Sequence, residues 1–408
     1  MASFSLPTPL SLADLAPTAD ERERMTRFLQ RLLQTPSFSA QEGDLAALIE
    51  SELRTLGFED VFTDRVGNVI ARIGTGSGPT LLFDAHMDTV QVTDDWEEDP
   101  FGGRLEDGIL YGLGACDGKS SIASMVYAAH RLLRAGVNLH GTLVLGFLVQ
   151  GEPCEGGALR VLVQEEGIRP DYILLGEPTD LKIMRGHRGR MMFKVRVHGK
   201  SSHASSPELG RNAIADAARL IFNVEILAVD LPSDPFLGAG TIAVTHIKSQ
   251  TSSLNAIPGS CTFYVDRRLT LGETPGRAQA ELENAILREG VNADIQITRY
   301  TDQSYTGYQF DQIEAFNAWA LDEGHPLIQT AARALEAVDG HPPVIAHCPF
   351  STDGVYSMAE AGIPTFCLGP GRPEYAHSTR DQVAVADIAR AAHAYALLAA
   401  MLLQGNGE

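Results

Sequence analysis

"LVLGFLVQGEPCEGG" (residues 143–157) starts as an apolar run and ends in a knot of Gly, Pro, Cys and two acids, Glu152 and Glu155. The run 143–149 reads as a buried strand. The loop after it lies where a parallel sheet presents its reactive groups. A glycine, Gly151, stands directly before the first acid.

Outward from this strand the same pattern repeats. Short apolar strands are expected at 80–84, 172–175 and 364–368. Between the first of them and 143–149, residues 119–135 carry Ile122, Met125, Val126, Ala129, Leu132 and Leu133 on one helical face, with Gly136 as the stop. Amphipathic helices at 20–34 and 41–56 come first. Continuous apolar strands separated by helices imply an α/β fold with a parallel or mixed sheet. Residues 190–300 differ. Met191, Phe193, Val195 and Val197 alternate with Met192, Lys194, Arg196 and His198, a strand with one exposed face. A helix (212–226), strands (240–247, 261–269), a helix (274–288) and a strand (293–298) follow. That β-α-β-β-α-β order is ferredoxin-like. It predicts a small domain, 190–300, inserted into a larger one formed by 1–189 and 301–408.

The 408 residues exceed one ordinary core, which agrees with two domains. The 32 Lys+Arg against 52 Asp+Glu give a formal net charge of -20, which disfavours nucleic acid and anionic membrane as partners. The five scattered cysteines form no CxxC pair and suggest reduced thiols. The start, "MASFSLPTPLSLADLAPTADERERM", lacks the basic and apolar parts of a signal peptide, and no apolar run is expected to span a membrane. A cytoplasmic location is expected.

Several strands end in metal-ligand types. "LLFDAHMDTV" brings His86 and Asp88, "QGEPCEGG" brings Glu152, and "YILLGEPTD" brings Glu177. "IPTFCLGPGRPEYAHSTRDQV" brings His377, and Asp117 in "YGLGACDGKSS" precedes a helix. Open α/β sheets gather such ends along one edge. Imidazole plus carboxylate without thiolate suits zinc or a similar divalent ion. Two His and three carboxylates exceed one open site and fit two ions sharing a carboxylate. Singly, each residue has a plainer reading: surface polarity for His-x-Asp, a helix N-cap for Asp117, a loop acid for Glu177. "GLGACDG" also offers a weak dinucleotide-type turn, but the polar segment before it and the missing third glycine make a nicotinamide-dependent oxidoreductase a distant alternative.

Together "HMDTV", "GLGACDGK", "QGEPCEGG", "GEPTD", "HGKSSHASSPELGRNA", "NAIPGSCTFYVDRR" and "AHSTRDQV" resemble one family. It is the dinuclear-zinc aminoacylase/carboxypeptidase family, which includes succinyl-diaminopimelate desuccinylase, acetylornithine deacetylase and glutamate carboxypeptidase. The similarity spans roughly residues 20–400. It implies a mixed-sheet zinc-hydrolase domain with a ferredoxin-like lid that also forms a homodimer. It implies that Asp117 bridges two zincs, that His86 and Glu177 complete one site, and that Glu152 and His377 complete the other. Cobalt or manganese would suit the same donors. Asp88 would orient His86. His203 would stabilise the oxyanion, reaching across from the partner subunit, and Asn255 and Arg268 would contact substrate. A cis peptide is implied between Asp117 and Gly118.

At one position the chain departs from the resemblance. The family has two adjacent glutamates, a general base and then a zinc ligand; here the pair is Gly151-Glu152. With Gln150, Cys154 and Gly156 as anchors, Glu152 is the ligand and Gly151 occupies the base position. A rival register makes Glu152 the base and Glu155 the ligand. The first needs no shift and is preferred. It leaves Glu155 as a stand-in base, or an enzyme with weak turnover that Gly151→Glu would raise. The expected function is hydrolysis of an amide bond in an N-acyl amino acid or small peptide. The alternative is a non-catalytic metal- or ligand-binding protein on the same scaffold.

Overall fold

A computed structural model describes residues 12–74 and 76–404. The first eleven residues, on which part of the N-terminal reading rests, lie outside that range. At the centre is a nine-stranded mixed sheet. Its order is Asp60–Thr63, Val69–Gly74, Thr142–Leu148, Thr80–His86, Tyr172–Leu175, Thr365–Cys367, Ile183–His187 and Trp319–Ala320, with Ile345–Cys348 also pairing to Ile183–His187. The four strands from Thr142–Leu148 to Thr365–Cys367 are parallel, so their carboxyl ends share one edge. Beyond Thr80, every residue of Thr80–His86 is buried. A strand covered on both faces reads as an unbroken apolar run, and these do.

Helices cover the sheet. Ala19–Leu33 starts at a reciprocal cap between Thr18 and Glu21 and buries Met25, Phe28, Leu29, Leu32 and Leu33. Lys119–Arg134 follows the Asp117 loop and is buried along most of its length. Val385–Leu403 corrects one expectation: this helix is long and apolar enough to cross a membrane. Over half of it is buried in the main core, against Lys119–Arg134 and Pro326–Asp339, and that packing accounts for its composition.

A second sheet has the order Thr241–Gln250, Ser260–Leu269, Gly189–His198, Ala293–Ile297, with every neighbouring pair antiparallel. With the helices Ala213–Leu227 and Pro275–Glu289 it gives the β-α-β-β-α-β order. It has a core of its own around Phe193, Val195, Leu220, Phe263 and Val265. Thr241–Gln250 is an edge strand, and Phe222, Ile226 and Val229 stand exposed nearby.

The chain passes between the two sheets on adjacent strands. Trp319 pairs with His187 and Phe316 pairs with Arg190. His187 Nε2 accepts from Trp319 Nε1 at 2.8 Å and from the Thr352 amide at 3.1 Å. Nδ1 therefore carries the proton and donates to the Arg188 carbonyl at 2.8 Å. Burial pushes the imidazole pKa down to about 4. All five cysteines are buried and unpaired.

Candidate metal centre

The expected ligands converge at the carboxyl edge of the parallel strands. His86 ends Thr80–His86, Glu152 follows Thr142–Leu148, Glu177 follows Tyr172–Leu175, and His377 lies beyond Thr365–Cys367. They form two triads, His86–Asp117–Glu177 and Asp117–Glu152–His377, with Asp117 in both. Within each, the ligand atoms lie within 4.8 Å of one another. His86 Nε2 is 3.0 Å from Asp117 Oδ1, and His377 Nε2 is 3.4 Å from Asp117 Oδ2 and 3.0 Å from Glu152 Oε2. The peptide between Asp117 and Gly118 is cis. A side chain on Gly118 would put its Cβ 2.9 Å from His86 Nε2, so that glycine keeps space beside the imidazole nitrogen.

The electrostatics describe a site that calls for positive charge. Burial opposes charge on His86, but hydrogen bonds with Asp117 and Asp88 outweigh it and hold the pKa well above the usual value. Hydrogen bonds with Asp117 and then Glu152 raise His377 to about 10. Burial pushes the Asp117 carboxyl up, yet both imidazoles outweigh it and hold it below the carboxylate range. Glu177 is pushed well up by burial. Two imidazoles and three carboxylates gathered into two triads fit divalent cations of the zinc type.

Asp88 serves more than His86. The Nδ1 of His86 lies 3.0 Å from the Asp88 carbonyl and 3.4 Å from its carboxylate. That carboxylate accepts from the Gly151 amide at 2.8 Å, the Glu152 amide at 3.3 Å and the Ser39 hydroxyl at 2.6 Å. Glu42, buried and raised to about 7 by desolvation, accepts from the Gln150 amide at 3.0 Å. Tyr300 and Gln303 hold the Gln150 side chain at 2.9 and 2.8 Å. The loop is thus fastened from four directions. At its centre a Cβ on Gly151 would lie 2.4 Å from His86 Cβ. A side chain at 151 would require His86 or the loop to shift, because the loop backbone meets the His86 side chain there.

The remaining predicted residues divide. The cleft, about 440 Å³, is lined by the ligands and by Gly151, Glu155, Arg190, Arg268 and Asp353 among others. Glu155 accepts from Arg190 at 2.9 Å, and Arg190 also reaches Glu314 at 3.3 Å. Arg268 is held by both oxygens of Asp266, at 2.7 and 3.0 Å, so its fork is already occupied. His203 and Asn255 are exposed and lie outside the cleft lining; they sit side by side, with the Ala204 amide 2.7 Å from the Asn255 carbonyl. The dinucleotide alternative loses its context, because Ile109–Tyr111 belongs to a separate three-stranded sheet. The sequence reading missed Ser39, Glu42, Arg190, Asp266 and Asp353. Only Asp266 left a signal: it is two residues from Arg268 on one strand, hence on the same face.

A mixed α/β sheet that gathers two histidine–carboxylate triads at one edge defines a metallohydrolase scaffold. The chain belongs to peptidase family M20/M25/M40, whose model matches residues 82–401. It is 35% identical over 382 residues to protein YgeY of Escherichia coli (strain K12), covering 93% of this chain and 94% of that one. It superposes on the di-peptidase Dug1p of Saccharomyces cerevisiae with a TM-score of 0.75 at 14% identity, covering 97% of this chain and 99% of that one. A dinuclear metal-binding M20 peptidase of Bacillus subtilis gives 0.70 at 18% identity, covering 95% and 99%.

Proposed function

We propose that the chain is a two-metal amidohydrolase acting on an N-acyl amino acid or a small peptide. The observation that carries this reading is the pair of triads sharing Asp117. His86, Glu177 and Asp117 would hold one ion, and Glu152, His377 and Asp117 the other, most simply zinc, with cobalt and manganese compatible. When bound, two such ions supply an activated water and polarise the amide carbonyl. The chain's own part is to aim the ligands: Asp88 fixes His86 and the 150–152 loop together, and Asp117 serves both sites. Glu152 is the ligand in this reading, because Glu155 faces Arg190. Gly151 offers no acceptor for a proton, so turnover is slow relative to a chain with a positioned base.

Residues 190–300 act as lid and dimerisation module on a catalytic domain of 1–189 and 301–408. The exposed edge strand and the apolar Phe222, Ile226 and Val229 support a homodimer. In it His203, with Asn255 beside it, would reach the partner's cleft, and Arg268 would meet substrate after exchanging its Asp266 contact. The unpaired cysteines support a cytoplasmic location, and the acidic surface argues against nucleic acid or membrane as partner. Gly151 favours a second reading, a metal-binding protein without turnover. A panel of acetyl-, succinyl- and peptidyl-amino acids assayed with and without zinc separates them: metal-dependent hydrolysis supports the first, and two bound ions with no turnover support the second.

A further inference from the structure

The loop carrying Asp117 and the loop carrying His377 are joined by a residue outside both triads. Asp381 is 2% exposed. It accepts three alternate amides of the chain leading to Asp117. Gly112 donates to its carbonyl at 3.0 Å, Gly114 to Oδ2 at 2.6 Å and Cys116 to Oδ1 at 2.6 Å. The Gly114 and Cys116 amides would be left without a partner if the Asp381 side chain were withdrawn, and an unmet buried donor is costly. Behind Asp381 lies the buried Lys119, whose Nζ donates to the Leu32 and Thr35 carbonyls at 2.9 Å. The next residue, Gln382, pairs with Tyr111. His377, by contrast, is half-exposed, and among the described residues its ring nitrogen bonds to Asp117 and Glu152. Its position relative to Asp117 therefore comes from the backbone that carries it.

We propose that Asp381 is a positioning residue for the metal centre. It sets the separation of Asp117 and His377, and with it the affinity of the ion held by Asp117, Glu152 and His377. This rests on the ligand reading given above. Asparagine at 381 would turn an NH2 group toward one of the two amides and leave buried donors facing each other. Glutamate would keep the two carboxyl oxygens on a longer stem.

The test is titration of metal-free protein with Zn2+ alone by calorimetry, with visible absorption of Co2+-loaded samples as a second readout. Wild type is expected to take two ions. Asp381→Asn is expected to bind the ion held by Asp117, Glu152 and His377 about 10–100-fold more weakly and to weaken the other site less, with an altered Co2+ spectrum; Asp381→Glu should fall between. Variants that take both ions as the wild type does overturn the proposal. So does loss of folded protein in both variants by circular dichroism, which would make Asp381 a general structural residue. A wild type that takes no ion overturns the ligand reading and this proposal with it.

Discussion

Gly151→Ala adds one carbon at the most crowded point of the site. That carbon would stand 2.4 Å from His86 Cβ, more than 1 Å inside the ~3.5–4.0 Å optimum for carbon pairs. Neither side has slack. His86 Nδ1 is tied to the Asp88 carbonyl at 3.0 Å, and the Gln150 and Gly151 amides are tied to Glu42 and Asp88 at 3.0 and 2.8 Å. Overpacking of this kind costs roughly 1–3 kcal/mol. If the strain is relieved by tilting His86, it is read as weaker metal binding, about 5- to 150-fold at 1.4 kcal/mol per factor of ten. Calorimetric titration of metal into metal-free wild type and Gly151→Ala measures this, with thermal unfolding to detect strain kept within the fold. Gly151→Glu carries the same Cβ, so its turnover should not exceed that of the wild type. Unchanged metal affinity and unchanged stability in Gly151→Ala would refute the reasoning, as would a faster Gly151→Glu enzyme with both ions retained.

Elemental analysis should find two ions per chain in the reconstituted wild type and at most one in His86→Ala. Glu152→Gln should lose an ion and Glu155→Gln should keep both; the opposite result would reverse the register. Light scattering at micromolar concentration should give a dimer, and Phe222→Glu a monomer; a wild-type monomer would remove the partner route for His203. The depressed His187 pKa makes stability acid-sensitive. Above the unfolded value near 6.5 both states are neutral and stability is full; as pH falls toward about 4 the unfolded chain alone gains the proton. The loss is on the order of 3 kcal/mol. Denaturant unfolding between pH 7 and 4.5 should show a smaller decline for His187→Gln than for wild type, and equal declines would contradict it.

The elements were legible because burial leaves a period in the chain. Unbroken apolar runs marked the parallel strands, alternation marked Gly189–His198, and a helical stripe marked Lys119–Arg134. The ligands were legible because histidine and carboxylate followed those runs. The residues that hold the ligands were not. Glu42 lies 108 residues from the Gln150 amide that it binds, and Asp381 lies 267 residues from Gly114. A carboxylate serving a backbone amide far away in the chain has no spacing rule, since any residue but proline can supply the N–H. Gly151 shows the converse limit. Its sequence neighbours point to a missing base, and the structure adds a close approach to His86, set by a distance that no motif encodes.

The paired crossing at His187 and Trp319 restricts how one sheet can travel against the other. Two strands that run side by side and share hydrogen bonds behave as a strip, which moves as one piece while its pairings hold. A swivel about the strip's long axis would part Trp319 from His187 and Phe316 from Arg190. A bend keeps both pairings. Because the same imidazole also holds the Thr352 amide, a change at this crossing reaches a residue in the wall of the cleft.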